Sequence, residues 1–296
     1  MMRTPSPPTS ERHQLEILRA LPGELAVRDV QDLMVYPWFA LGKSKRVTPI
    51  EYRAGDLLLR VEGTAEHGIA TIWDADVLIW AASQIVEARD SGLATSRLLA
   101  ATPYEILRFI RRGTSVRDYL RLKAAFDRLQ ATTIATSIRQ PTARRLHRFS
   151  WINEWKERAT GEGRPLGLEL VLPDWFYAGV LDETLILTID RAYFDLTGGI
   201  ERWLYRLVRK HAGRQMSGWR FEVPYLHAKS GSLAPLSRFA FDLRQIAQQQ
   251  SLPGYQLAIE RSHSGVEALT CRPAAPPSVR QLIRDLAKGA KPGEKL

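Results

Sequence analysis

The residue pattern predicts an α+β chain of two tandem winged-helix domains. The positive charge is concentrated in two blocks, +8 over residues 101–150 and +6 over 201–245, while 51–100 total −4 and 151–200 total −5. Each block reads as a helix, a short turn, a second helix and then a strand. Each second helix carries the same triplet, Ala125-Phe126-Asp127 and Ala240-Phe241-Asp242. Two basic helix-turn-helix units in one chain point to a protein that grips DNA at two places.

Composition sets the outer limits. A chain of 296 residues has room for two cores, because single cores stop growing at about 250–300 residues. The net charge of +10 favours a polyanionic partner, either nucleic acid or an acidic membrane surface. The cations are 33 Arg and 9 Lys, and the planar arginine fork suits bidentate contact with phosphate and guanine. A GC-rich genome would also raise the arginine count, but it does not explain the clustering. The lone Cys271 has no internal partner, and no Cys/His group has zinc-ligand spacing, so a reducing cytoplasm and no metal or cofactor are expected. The first ten residues lack the apolar core of a signal peptide. No run approaches the ~18–20 apolar residues that span a bilayer.

The N-terminal 1–35 reads as a polar arm and short helices, with Pro22-Gly23 between two amphipathic patterns. Residues 36–178 form the expected first winged-helix domain. Ile50, Tyr52, Leu57, Leu59 and Val61 alternate as strands do, 68–73 reads as a further short strand, and Asp74 or Asp76 caps a buried helix over 77–88. Thr102-Pro103-Tyr104-Glu105 is a capping box with Pro at the first helical position; the helix ends at Gly113. Ser115 and Asp118 open the next helix, whose stripe Tyr119, Leu122, Phe126, Leu129 marks a core face. Residues 132–139 and 149–155 then read as a hairpin around Arg144, Arg145 and Arg148. Three helices followed by a basic hairpin is the outline of a winged helix.

Residues 179–272 repeat that outline as the second domain. The expected order is a helix over 200–211, a strand at 219–222, a helix over 224–229, a Ser230-Gly231-Ser232 turn, a helix from Pro235 to about 250, and a final hairpin. Leu236, Phe239, Leu243 and Ile246 supply its core stripe. Residues 273–296 read as a Pro-rich hinge and a basic tail.

Several segments resemble the bacterial plasmid replication initiator protein A family. They are the run from Gly68 to Trp80, the run from Glu201 to Gly213 with its Arg209-Lys210-His211-Ala212-Gly213, the segment Leu226-His227-Ala228-Lys229-Ser230-Gly231-Ser232, and Leu252-Pro253-Gly254-Tyr255. The similarity covers roughly residues 36–272. It implies a non-enzymatic initiator that binds repeated double-stranded sites at a plasmid origin and helps open them. It also implies recruitment of a host initiator and replicative helicase, and it leaves room for a homodimer. A transcriptional repressor of the same fold and a DNA-nicking enzyme are the competing readings.

The face of the first domain's recognition helix opposite its core carries Arg117, Arg121 and Arg128, placed to reach guanine in a major groove. Thr114 and Ser115 at its start suit phosphate. In the second domain Ser237, Arg238, Gln245 and Gln249 face away from the core, and glutamine can pair with adenine. Arg144, Arg145 and Arg148 suit a wing lying on phosphates, and Lys229, Ser230 and Ser232 suit a phosphate at the helix-turn-helix junction. A solvated polar face is the alternative for each residue taken singly. His211 reads as a helix C-terminal cation favoured by the dipole.

No catalytic residue is expected. Gly42-Lys43-Ser44 matches the end of a phosphate-binding loop, but Pro37 stands where that loop needs its first Gly. The six histidines include no pair spaced for a nicking centre, so Tyr104, Tyr119 and Tyr205 read as core.

Overall fold

A computed structural model describes residues 11–141, 145–162, 165–213, 215–261 and 265–274. The arm before residue 11, Arg144 and the tail beyond 274 lie outside the described residues. In place of the short N-terminal helices stand one 3-10 turn, the strands β1 (Ile17–Arg19) and β2 (Arg28–Val30), and a five-residue α1 (Gln31–Val35). There follow β3 (Ile50–Ala54), β4 (Leu57–Glu62), α2 (Ala75–Asp90), β5 (Leu98–Ala101), α3 (Pro103–Phe109), α4 (Val116–Ala131), β6 (Thr133–Thr136), β7 (His147–Ser150), β8 (Glu154–Ala159) and β9 (Pro165–Val171). The helix α5 (Asp174–Leu181) and β10 (Ile186–Thr188) lead to α6 (Gly199–His211), β11 (Trp219–Glu222), α7 (Val223–Ser230), α8 (Leu236–Gln249), β12 (Tyr255–Arg261) and β13 (Glu267–Pro273).

The order helix, strand, helix, helix, hairpin occurs twice, as α2–β5–α3–α4–β8–β9 and as α6–β11–α7–α8–β12–β13. The sheets repeat too. β9 lies between β5 and β8, and β13 lies between β11 and β12, all antiparallel. This is the winged-helix arrangement in tandem. The sheet of the first unit has one more strand, β1, which pairs in parallel with β5, and β6 and β7 are inserted between α4 and β8.

The hairpin expected as the first wing belongs elsewhere. β6 pairs with β4 and β7, so Arg148 sits on an accessory sheet of order β3-β4-β6-β7 and Arg145 lies in the segment leading into it. The wing position falls instead to β8 and β9. The β-branched run at 133–136 is a sound strand signal, but its pairing partner lies far upstream in the chain. Residues 68–73 form turns tied by isolated Ala40–Thr71 and Thr64–Gly68 bridges rather than a strand.

Local chemistry accounts for the helix starts. Thr102 and Glu105 close a reciprocal capping box on α3, with Pro103 at the first helical position, and Ser115 and Asp118 do the same for α4. α2 is buried on every side from Ala75 to Val86, as an all-round apolar helix must be. A cluster of rings fills the base of the first unit: Trp38 lies 5.5 Å from Trp151 and 5.2 Å from Trp175, and Phe149 stacks on Trp175 at 4.9 Å.

The two units share one hydrophobic core. β2 of the first pairs with β10 at the start of the second, and α1 packs on α6. Two buried ion pairs cross the junction. Arg206 donates to Asp29 at 2.7 and 2.9 Å, and Arg202 donates to Asp76 at 2.7 and 2.9 Å. Asp76 is therefore not a helix cap, as its position suggested. It anchors Arg202, whose remaining donors reach the carbonyls of Leu196 and Phe194. Asp74 does stand at the N-cap position, but its carboxylate accepts from the Thr71 backbone N–H and hydroxyl rather than from the helix.

Candidate nucleic-acid interface

α4 and α8 occupy the third-helix position of their units, the one that enters a groove in winged-helix proteins. Leu122, Ala125, Phe126 and Leu129 bury one face of α4, which leaves Val116, Arg117, Leu120 and Arg121 exposed. Arg117 and Arg121 are one turn apart, so they share a face. Arg128, expected beside them, is committed elsewhere: it forms a bidentate fork on Asp74, Nε at 2.8 Å and a terminal nitrogen at 2.7 Å. The fork fastens α4 to the start of α2 and takes Arg128 out of the set free to contact DNA. Ser115 is occupied as well, since its backbone N–H and its hydroxyl both donate to Asp118. That bonding holds the Asp118 carboxyl below the usual range. Thr114 is exposed just before it.

Beside the arginine row of α4 lies a cleft of about 620 Å³, walled by Lys43, Lys45, His67, Trp73, Arg112 and Arg121. Lys43 and Lys45 are exposed at its rim, with the Lys43 ammonium 5.3 Å from the Trp73 ring and Lys45 donating to the Ala65 carbonyl at 3.0 Å. Neither lysine is among the DNA-contact residues expected from the sequence, where 41–46 reads only as a basic turn and an incomplete phosphate loop.

In the second unit Phe239, Ala240, Leu243, Ile246 and Ala247 bury α8; Leu236, expected in that stripe, is exposed. Ser237, Arg238 and Gln249 are exposed and Gln245 is half-buried. Arg238 pairs with Asp242 at 3.1 Å and lies 5.2 Å over the exposed Phe241 ring. Arg244, also exposed on α8, pairs with Glu267 at 3.1 Å, and Arg261 of β12 meets the same carboxylate at 2.9 Å. Glu267 thus ties the recognition helix to the wing strands, and those two arginines hold its carboxyl below the usual range.

The turn before α8 departs from expectation. Lys229 and Ser230 are buried, so neither is offered to phosphate. The Ser230 hydroxyl donates to the His227 carbonyl and accepts from the Ser232 N–H; Ser232, half-buried, accepts from Ala234. These bonds shape the turn. Arg145 and Arg148 are exposed, but Arg148 is on the accessory sheet and Arg145 in the segment leading into it. His211 is not a cation at the end of α6: burial first, then the neighbouring charges of Lys229 and Lys210, lowers its pKa to about 4. Of the tyrosines expected in the core, Tyr205 is buried and Tyr119 is half-buried against the core, whereas Tyr104 is exposed. Cys271 is buried, and burial pushes its thiol up to about 11. No helix among the described residues is long and apolar enough to cross a membrane, and none of their His, Cys, Asp and Glu side chains cluster as a metal site would require.

Comparison with known proteins agrees with this arrangement. The structure of domains 2 and 3 of RctB matches with a TM-score of 0.60 at 13% identity, covering 83% of this chain and 99% of that one. A second structure of RctB domains 2–3 matches with a TM-score of 0.54 at 14% identity, over 83% and 97% of the two chains. At such identities the likeness is one of fold. A protein of Wigglesworthia glossinidia brevipalpis named for a role in replication is 31% identical over 229 residues, 76% of this chain and 82% of its own. The family model described as replication initiator protein A matches residues 28–257. With that match spanning most of its length, the chain belongs to the replication initiator protein A family.

Proposed function

We propose that this protein initiates replication by gripping repeated double-stranded sites at a plasmid origin with both winged-helix units, catalysing no reaction itself. The observation that carries this reading is the duplicated element order, which gives α4 and α8 the same place in their units, each with an exposed polar face. Arg117 and Arg121 then reach guanine edges in one major groove, while Lys43 and Lys45 on the cleft rim neutralise phosphates beside it. Ser237, Arg238, Gln245 and Gln249 serve the second groove, where a glutamine can pair with adenine. The two grooves lie on nearly one side of the duplex about one turn apart, ~10–10.5 bp. Melting of the origin and recruitment of a host initiator and replicative helicase follow from that grip.

Footprinting on the flanking plasmid DNA at two salt concentrations tests the reading. It predicts repeated sites, each with two protected half-sites, and an affinity that falls steeply with salt. Protection confined to a single half-site overturns it.

A further inference from the structure

Lys229 is the only lysine buried among the described residues. Its ammonium lies 4.9 Å from the ring centre of Tyr36, 5.4 Å from that of Tyr52 and 5.3 Å from that of Tyr225. No carboxylate pairs with it among the described residues. Tyr225 sits one turn earlier on α7, but Tyr36 follows α1 and Tyr52 belongs to β3. A cation of the second unit is therefore enclosed by rings of the first. Within about 6 Å of an aromatic face an ammonium is attracted by the ring quadrupole, and the attraction grows once water is excluded.

The next residues of the chain are gripped by the first unit too. Arg46 donates to the Gly231 carbonyl at 2.6 Å, and its other nitrogens are fixed on the carbonyls of Thr48 at 2.9 Å and Pro49 at 3.1 Å. Gly231 has φ +64°, and a Cβ there would lie 2.9 Å from the Pro37 side chain and 3.1 Å from that of Ile50. Only glycine accepts both the conformation and the close approach. This turn joins α7 to α8, so whatever holds it also aims the second recognition helix.

We infer that the Lys229 cage, with the Arg46–Gly231 contact, is a clamp that fixes α8 relative to the first unit and so sets the half-site spacing the protein accepts. Lys229 is a positioning residue and touches no DNA. The inference rests on the two-groove reading above. Each base pair turns the duplex by about 34°, given ~10–10.5 bp per turn. Two reading heads can therefore discriminate spacing only if they cannot swivel.

The test uses the full chain, wild type and Lys229→Met, on a single half-site duplex and on two-half-site duplexes with one or two base pairs added or removed. In parallel, spin labels at Val116→Cys and Gln248→Cys, both exposed positions on α4 and α8, report the inter-helix distance without DNA. Lys229→Met is expected to leave single half-site binding unchanged and to weaken the natural spacing by roughly thirtyfold, the scale of a desolvated cation–π contact. It should tolerate altered spacing and broaden the distance distribution. Tyr36→Phe, which keeps the ring, retains wild-type behaviour. If Lys229→Met does not fold, Tyr52→Leu reads the same two quantities. Unchanged spacing selectivity with an unbroadened distance distribution overturns the clamp, as does an equal loss on the single half-site. A wild-type protein with a narrow distance distribution but no spacing preference overturns the two-groove reading and leaves the distance arm to judge the clamp.

Discussion

Asp76 of α2 and Arg202 of α6 form an ion pair across the junction of the two units, at 2.7 Å, with side chains 0% and 1% exposed. Arg112 reaches the same carboxylate from the loop before α4 at 2.9 Å. A buried pair adds little over a well-packed apolar pair, but removing one partner strands a charge. With only the partly exposed Arg112 left on Asp76, Arg202→Met should destabilise the protein by about 3 kcal/mol in urea unfolding, the low end of the range for a broken buried pair. Adding Asp76→Leu should recover most of that loss, since Arg112 is partly exposed and can turn to water.

Arg121 and Arg128 lie on the same helix yet should fail differently. Arg128→Ala leaves Asp74, which is 3% exposed, without its fork, and should cost about 3 kcal/mol of stability. Arg121→Ala should change stability by no more than about 0.5 kcal/mol, as surface substitutions do. Its effect should appear in DNA binding, costing about 1–3 kcal/mol and relaxing the preference for guanine at one position. Anisotropy titrations on the natural site and on one with that guanine replaced, beside urea melts, separate the two roles.

His211 supplies a pH dependence. Its pKa is about 4 in the folded protein against an ordinary 6.5, so the unfolded chain takes up the proton first. Linkage then makes the protein lose stability as the pH falls from about 6.5 to about 4, with the contribution complete above that window. His211→Phe should flatten this part of the stability profile measured by denaturant melts.

Gly231→Ala forces a side chain into a left-handed turn and against Pro37 and Ile50. A loss of about 1–3 kcal/mol is expected, the range for a residue held in a sparsely populated backbone region. Thermal melts check the loss.

What could be read from the residues alone was whatever lies within a few positions. Thr102 with Glu105 and Ser115 with Asp118 announce α3 and α4 because both halves of each box are in view. The core stripe of α8 was legible from Phe239 onward for the same reason. Long-range partners were not. Nothing near Asp76 says that its partner is Arg202, and nothing near Thr133 says that the strand it opens joins β4 rather than β9. Lys229 beside a serine turn has the local chemistry of a phosphate contact. Only the placement of Tyr36 and Tyr52 by the fold shows it turned inward. The exposed arginines of α4 were predicted, while the lysines across the cleft depend on where a distant loop comes to rest.

The two junction ion pairs also bear on how the protein is made. Arg202 lies 126 residues beyond Asp76, and Arg206 lies 177 residues beyond Asp29. Synthesis runs from the N-terminus at about 5–20 residues per second, so both acids wait several seconds on the ribosome before their partners exist. During that interval Asp76 already has Arg112 within the first unit, but Asp29 has no cation to pair with until α6 emerges. Closing the junction face of the first unit before then buries that carboxylate unneutralised, so the two halves are expected to complete their packing together rather than in turn.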